Sequence, residues 1–338
     1  MGATAAKIQV EIDKMLQSGI IEVSSWQEKQ VIPPIFTRDK KDGSVRIILD
    51  LSVLNTYLVY RHFKMDTFET ALNLVTKNCF FASIDWKDAY YTVPVAVDDR
   101  RFLKFRWGNN LYQFTALPNG LAPAPRIFTK ISKVLFAELR KRGHVNTSFI
   151  DDCLLIGESR ADCLSNVKDT ILFSEAAGFM IHPEKSILHP TQSIIYLGFV
   201  IDSVKMTVSL TPERANKLHS LAHLVLSSVS ITIQKLAELV GMMVASFPAV
   251  TFCQLYYRRC DNFKTMCLKQ SRGSYTAKIR LPHDCRTDLN WWEVNIRNCF
   301  APIGRNPPCV TLMSDASTMA WGVENWWELV LERNAPPH

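Results

Sequence analysis

The sequence predicts an α+β protein with its strands gathered in the first two thirds of the chain, and three observations carry that expectation. Between residues 8 and 203 short β-prone runs alternate with helical segments, the mark of a mixed unit. From Thr211 to about residue 300 the pattern turns helical, opening on Thr211-Pro212-Glu213, a capping hydroxyl followed by a first-turn proline and an acid near the positive helix end. The length, 338 residues at 47% hydrophobic and 21% charged, allows two or three domains with cores of their own and excludes a disordered tail or a mini-protein.

Charge and cysteine usage narrow the setting. Lys and Arg number 39 against 32 Asp and Glu, a formal +7, and residues 250 to 300 hold nine Arg/Lys against four Asp/Glu. Such a balance permits a phosphate-rich partner. Nine cysteines without CxxC spacing point to reduced thiols in the cytosol or nucleus. Cys253, Cys260 and Cys267 recur every seven residues, which marks one helix face in preference to a metal site. Lys7, Glu11, Asp13 and Lys14 argue against a secretory signal, and Ala6 stands where an acylation signal wants Ser or Thr. The uncharged stretch 239–257 is long enough to span a bilayer, but Pro248 breaks it. Upstream, Ile233, Leu236, Ala237, Val240, Met243 and Val244 keep helical spacing on one face, as in a packed helix, so no membrane partner is expected.

Taken in chain order, the elements set out the chemistry. Lys40-Lys41-Asp42-Gly43-Ser44-Val45-Arg46 reads as a basic hairpin with a glycine turn, followed by Leu49-Asp50-Leu51 and Leu54-Asn55. Phe80-Phe81-Ala82-Ser83-Ile84-Asp85 is an apolar strand ending in a carboxylate, and Trp86-Lys87-Asp88-Ala89-Tyr90 follows as the chain turns. Leu117-Pro118-Asn119-Gly120-Leu121 precedes a helix over 123–142. Ile127, Ile131, Val134 and Leu135 lie on one side of it, and Arg126, Lys130 and Lys133 form a basic stripe that reads either as a phosphate track or as a solvated face. Phe149-Ile150-Asp151-Asp152 with Cys153-Leu154-Leu155-Ile156-Gly157 reads as a hairpin tip presenting two adjacent carboxylates. Buried carboxylates repel one another and are costly to desolvate without cations, so Asp85, Asp151 and Asp152 together point to divalent metal: hard oxygen ligands suit Mg²⁺, with Mn²⁺ as a substitute.

The order of these motifs resembles the reverse transcriptase domain of retrotransposon polyproteins, in wording similar to the DIRS-like and Ty3-like elements, over residues 19 to 298. The resemblance implies a right-hand polymerase: fingers and a ferredoxin-like palm over 1–205, and a helical thumb and connection over 206–300. It implies RNA-directed DNA polymerisation through two metal ions about 3.5–4 Å apart, held by Asp85, Asp151 and Asp152. Lys40 or Lys41 and Arg46 would hold the triphosphate of the incoming dNTP, and Asp88 and Ala89 would cradle it. Tyr90 falls at the steric gate against a 2′-hydroxyl, while Gly120 lets backbone approach the nucleotide. Asn119 stands where the family more often has Gln or Phe, and Phe149 where it has Tyr.

Further along, Ala177-Gly178-Phe179-Met180-Ile181-His182-Pro183-Glu184-Lys185-Ser186 resembles the family's next motif, and the resemblance implies Lys185 as the candidate to protonate the departing pyrophosphate. Tyr196-Leu197-Gly198-Phe199 matches the hairpin gripping the primer end. Tyr256, Tyr257, Trp291 and Trp292 lie among basic residues that would grip a duplex of RNA or DNA template with DNA primer. Finally, residues 310–317 with Trp321-Gly322 resemble the opening strand of a ribonuclease H domain, with Asp315 at its first metal ligand. Only 23 residues follow Asp315, and Glu324 and Glu328 lie too close in sequence to complete the site, so 308–338 reads as a truncated segment without ribonuclease H activity. The alternative reading is a catalytically silent nucleic-acid-binding relic, on the departures at Trp86, Asn119 and Phe149 and the missing nuclease.

Overall fold

The computed structural model describes residues 3–40 and 43–304 and three further strands, Met313–Ala316, Ala320–Glu324 and Leu329–Arg333. At its centre is a four-stranded antiparallel sheet in the order Val145–Phe149, Asp152–Gly157, Phe80–Asp85, Ile187–Thr191. The two inner strands read as nearly continuous apolar runs because both faces of the sheet are covered. Ala82, Ile84, Cys153 and Leu155 point to the helices Ala124–Lys141 and Arg160–Ala176, where they meet Phe128, Phe136, Cys163 and Val167. Phe81, Leu154 and Ile156, the alternate set, enter a second core shared with the C-terminal helices.

A third core lies in the N-terminal part. The helix Ala3–Gln17 supplies Ile8, Ile12 and Met15. The hairpin Ile35–Asp39 with Val45–Leu49 and the sheet Ile21–Val23, Asn110–Phe114, Lys104–Trp107 cover them. Lys104 is fully buried there. Its ammonium donates to the carbonyl of Ser25 at 2.8 Å and to Gln30 Oε1 at 3.0 Å, and burial holds its pKa below the usual lysine range.

The second four-stranded sheet runs Ser193–Tyr196, Phe199–Asp202, Thr207–Leu210, Phe300–Pro302, all antiparallel. The division expected near residue 205 falls inside this sheet, and the strand at 300–302 returns to its edge. The helices Pro212–Ser227, Ile233–Val244, Arg258–Gln270 and His283–Asn295 therefore share one core with the sheet, through Leu218, Val225, Leu236, Leu289 and Trp292. Thr211 caps the first of them, accepting from the Arg214 amide at 3.4 Å.

Two helix faces differ from the sequence reading. Helix Ala124–Lys141 has the expected extent, but its buried side is Phe128, Ser132, Leu135, Phe136 and Leu139, whereas Ile131 and Val134 are exposed beside Lys130 and Lys133. The aromatic rings decide this. Trp86 stacks on Phe136 and meets Phe128 edge-on, which turns the helix away from its aliphatic stripe. In helix Ile233–Val244 the buried face includes Leu239, while Val244 is exposed. Among the described residues, no helix is long and apolar enough to cross a membrane. Cys260 and Cys267 are buried in the helix Arg258–Gln270, with Cys253 buried just before it.

Met313–Ala316, Ala320–Glu324 and Leu329–Arg333 form an antiparallel meander with Asp315 opposite Gly322. Val310, Thr311, Leu312 and Glu328 lie outside the described residues, as does Lys41.

Candidate active site

Asp85 ends its strand and stands directly opposite Asp152 in register. Phe149 pairs with Asp152, so Ile150 and Asp151 make a two-residue hairpin turn. Such turns want a positive φ at their first central residue, a place that favours glycine. Here Ile150 takes it, at φ +57°, a strained conformation for a β-branched residue that costs on the order of 1–3 kcal/mol and persists only where the surroundings over-determine it. The surroundings do so. The Trp86 amide donates to the Asp151 carbonyl at 3.2 Å, and the Tyr196 hydroxyl donates to the Asp152 carbonyl at 3.4 Å.

Trp86 anchors the turn from below: it is 1% exposed, stacks on Phe179 at 4.6 Å, and donates from Nε1 to Ser174 Oγ at 3.1 Å. The segment after Phe179 is tied to Asp85, whose amide donates to Ser186 Oγ and whose carbonyl accepts from the His182 amide. That tie brings Lys185 Nζ to 3.8 Å from Asp85 Oδ1.

The three carboxylates crowd one another. Burial first, then the neighbouring Asp151 and Asp85, push Asp152 up to about 6. Asp151 is also raised, by burial and by Asp85, with Arg46 and Lys185 acting in the opposite sense. Arg46 thus reaches the site electrostatically from the hairpin of the N-terminal unit. Lys40, by contrast, is paired with Glu11 at 3.3 Å. The donor chemistry fits a hard divalent cation, because uncompensated carboxylate repulsion is what such an ion relieves. As they stand, however, no group of three or more His, Cys, Asp or Glu among the described residues converges closely enough to hold one.

The remaining candidates surround these acids. Asp88 sits at φ +52° before the single turn Ala89–Thr92. Ala89 is buried, and Tyr90 lies edge-on to Phe128, its hydroxyl pushed up to about 12 by burial and by the charge of Asp151. Gly120 has φ +102°, and a Cβ there would lie 2.5 Å from the Leu49 carbonyl, so no other residue fits. Asn119 does not reach towards the acids: its amide donates to the Tyr91 hydroxyl at 2.9 Å. Leu197 and Gly198, at φ +48° and +80°, form a two-residue hairpin turn between Tyr196 and Phe199.

Sequence reasoning gave no role to Asn55, which clamps the Gly120 loop by donating to the Gly120 carbonyl and accepting from the Ala122 amide, both at 2.9 Å. Nor did it single out Gly157, where a Cβ would lie 2.2 Å from the Cys163 amide nitrogen. In both cases the partner is distant or on the next element, and no local pattern announces it.

The raised carboxylate has a stability consequence. Asp152 keeps its proton to a higher pH in the native chain than in the unfolded one, so the native state binds more protons between about pH 4 and 6. Stability therefore falls as pH rises through that window. In chelator-treated protein, Asp152→Asn is expected to reduce that slope and to raise the melting temperature above pH 6 by a few degrees. Melts from pH 4 to 8 read this, and an unaltered slope in the variant contradicts the assignment.

With this geometry in hand, similarity to known proteins is informative. Residues 38–201 match the family described as reverse transcriptase (RNA-dependent DNA polymerase). Over 197 residues, 58% of the chain, it is 27% identical to the Transposon Tf2-3 polyprotein of Schizosaccharomyces pombe, and to the same extent to the Tf2-7 polyprotein. The chain spans 14% of the length of those relatives. A solved foamy viral protease-reverse transcriptase in complex with double-stranded DNA superposes with a TM-score of 0.73 at 18% identity, covering 96% of this chain and 54% of that one. The same enzyme with an RNA/DNA hybrid gives 0.71 at 17%, covering 99% and 44%. At that identity the likeness shows the fold, the right hand of a polymerase. Residues 38–201 are a reverse transcriptase domain of the kind found in retrotransposon polyproteins.

Proposed function

We propose that this domain catalyses RNA-directed DNA polymerisation. The observation that carries the reading is the register that sets Asp85 against Asp152, with Asp151 at the turn beside them. In the reaction a bond forms between the primer 3′-oxygen and the α-phosphorus of a dNTP, the bond to the bridging oxygen breaks, and pyrophosphate leaves. Two Mg²⁺ or Mn²⁺ ions, bound after side-chain rotation at Asp85, Asp151 and Asp152, would supply activation of the 3′-hydroxyl and charge neutralisation on the leaving group. Lys185, 3.8 Å from Asp85, would give the proton that pyrophosphate takes. Arg46 serves the triphosphate, with Lys40 on the same hairpin and Lys41 next to it in sequence, and the Asp88-Ala89 backbone and Gly120 shape its cradle.

Under this reading Tyr90 closes the space where a 2′-hydroxyl would sit, and Tyr196, Leu197 and Gly198 hold the primer end. Fingers and palm occupy 1–205 and the thumb 206–300, with the shared sheet as their joint. The template–primer duplex is the partner; the foamy viral relative, solved with double-stranded DNA and with an RNA/DNA hybrid, supports that class. The alternative is a catalytically silent binding relic; of the departures that favour it, Trp86 donates to Ser174 and Asn119 to Tyr91, contacts that either reading accommodates.

Primer extension on an RNA template with Mg²⁺ or Mn²⁺ tests the proposal. Wild type is expected to extend, and an Asp151→Asn, Asp152→Asn double variant to lose at least about 100-fold in rate. Equal inactivity of both, with primer–template still bound, would establish the relic instead. Tyr90→Ala is expected to admit ribonucleotides. Unchanged sugar selectivity in an active Tyr90→Ala enzyme would place the gate elsewhere.

A further inference from the structure

Arg214 lies in the first turn of helix Pro212–Ser227 and joins three elements that no ladder connects. Its Nη1 donates to the Gly198 carbonyl at 3.5 Å, and its Nη2 donates to the Ala245 carbonyl, which caps helix Ile233–Val244. Its Cζ stands 4.5 Å over the Phe199 ring. Each contact has a physical reason. A cation is favoured at the negative end of a helix, the planar fork can donate in two directions at once, and the guanidinium face stacks on an aromatic ring. Gly198 leaves room for the fork, since a Cβ there would lie 3.0 Å from Nη1. No carboxylate among the described residues pairs with Arg214, so its N–H groups serve backbone carbonyls.

The contacts continue to the acids. Phe199 stacks on Phe68 at 4.2 Å, Phe68 packs on Tyr196 at 6.5 Å, and Tyr196 donates to the Asp152 carbonyl. The turn at Leu197–Gly198 is thus braced on one side by Arg214 and on the other by the ring that supports the Asp151-Asp152 turn.

We propose that Arg214 is a positioning residue: it locks the Leu197–Gly198 turn to the thumb helices and so fixes the height of the primer terminus against the catalytic acids. The assignment rests on the polymerase reading above. Arg214 touches no substrate and acts through Gly198 and Phe199. An error of about 1 Å at a reacting terminus is enough to cost on the order of 100-fold in rate, so a loosened turn shows in the chemical step before it shows in binding.

The test compares wild type with Arg214→Met, which keeps the stem but loses the donors, and Arg214→Lys, which keeps charge and one direction of donation. Single-turnover extension with dNTP and primer–template titrated separately is expected to show a maximal rate about 10- to 100-fold lower in Arg214→Met, with both dissociation constants within about 2-fold of wild type and Arg214→Lys intermediate. Hydrogen exchange over residues 194–202 reads the turn without catalysis, and protection there is expected to fall in Arg214→Met. A wild-type rate and wild-type protection in folded Arg214→Met overturn the proposal. So does a parallel loss in rate, both affinities and melting temperature, which is the signature of a merely structural role. If wild type itself fails to extend, the polymerase reading falls, and exchange alone still decides whether Arg214 holds the turn.

Discussion

Asp85 and Asp152 face each other across two hydrogen-bonded strands with Asp151 at the adjoining turn, and the fold must support that concentration of negative charge from several directions. Beneath it, Trp86 fills the core with a stacked ring and gives its amide to the turn. Beside it, Ser186 and His182 hold the Asp85 backbone and bring Lys185 within reach. Burial, with the neighbouring Asp151 and Asp85, leaves the cost visible as a raised carboxylate at Asp152. A strained isoleucine in the turn adds to it. Packing and hydrogen bonds around the central sheet offset those costs.

The two sheets divide the labour. The first positions the acids, and the second, which runs from Ser193 to Pro302 with the helices of residues 212–295 inserted between its third and fourth strands, carries the Leu197–Gly198 turn. Because Phe81, Leu154 and Ile156 share a core with Leu218, Leu236 and Trp292, a shift of the helices is felt at the back of the sheet that bears the three acids. The N-terminal hairpin meets the Gly120 loop more locally. Asn55 and the Leu49 carbonyl both meet the Gly120 loop, so the hairpin carrying Arg46 is held in register with that loop.

Much of this was legible in the sequence, for reasons that differ by residue. Asp85 and the Asp151-Asp152 pair stood out because carboxylates among β-prone apolar residues are expensive, and Gly198 marked a turn. Thr211-Pro212 fixed a helix start because its capping chemistry is local. The buried side of helix Ala124–Lys141 was not legible: Ile131 and Phe128 satisfy the same period, and only the distant ring of Trp86 selects between them. Asn55, Lys104 and Arg214 escaped for the same reason, since the partners of their side-chain hydrogen bonds lie between 16 and 79 residues away, as with Gly198 and Ser25. Phe300 gave no sign that it closes a sheet begun a hundred residues earlier.

The central claim is that three acids brought together by strand register form a two-ion site once nucleic acid and nucleotide are in place. Anomalous diffraction from crystals of the chain with primer–template, dNTP and Mn²⁺ tests it most directly. The account predicts two peaks within ligand distance of the carboxylates of Asp85 and Asp151, with Asp152 beside them. Mn²⁺ peaks bound elsewhere, or none in a complex with the dNTP seated, would contradict it.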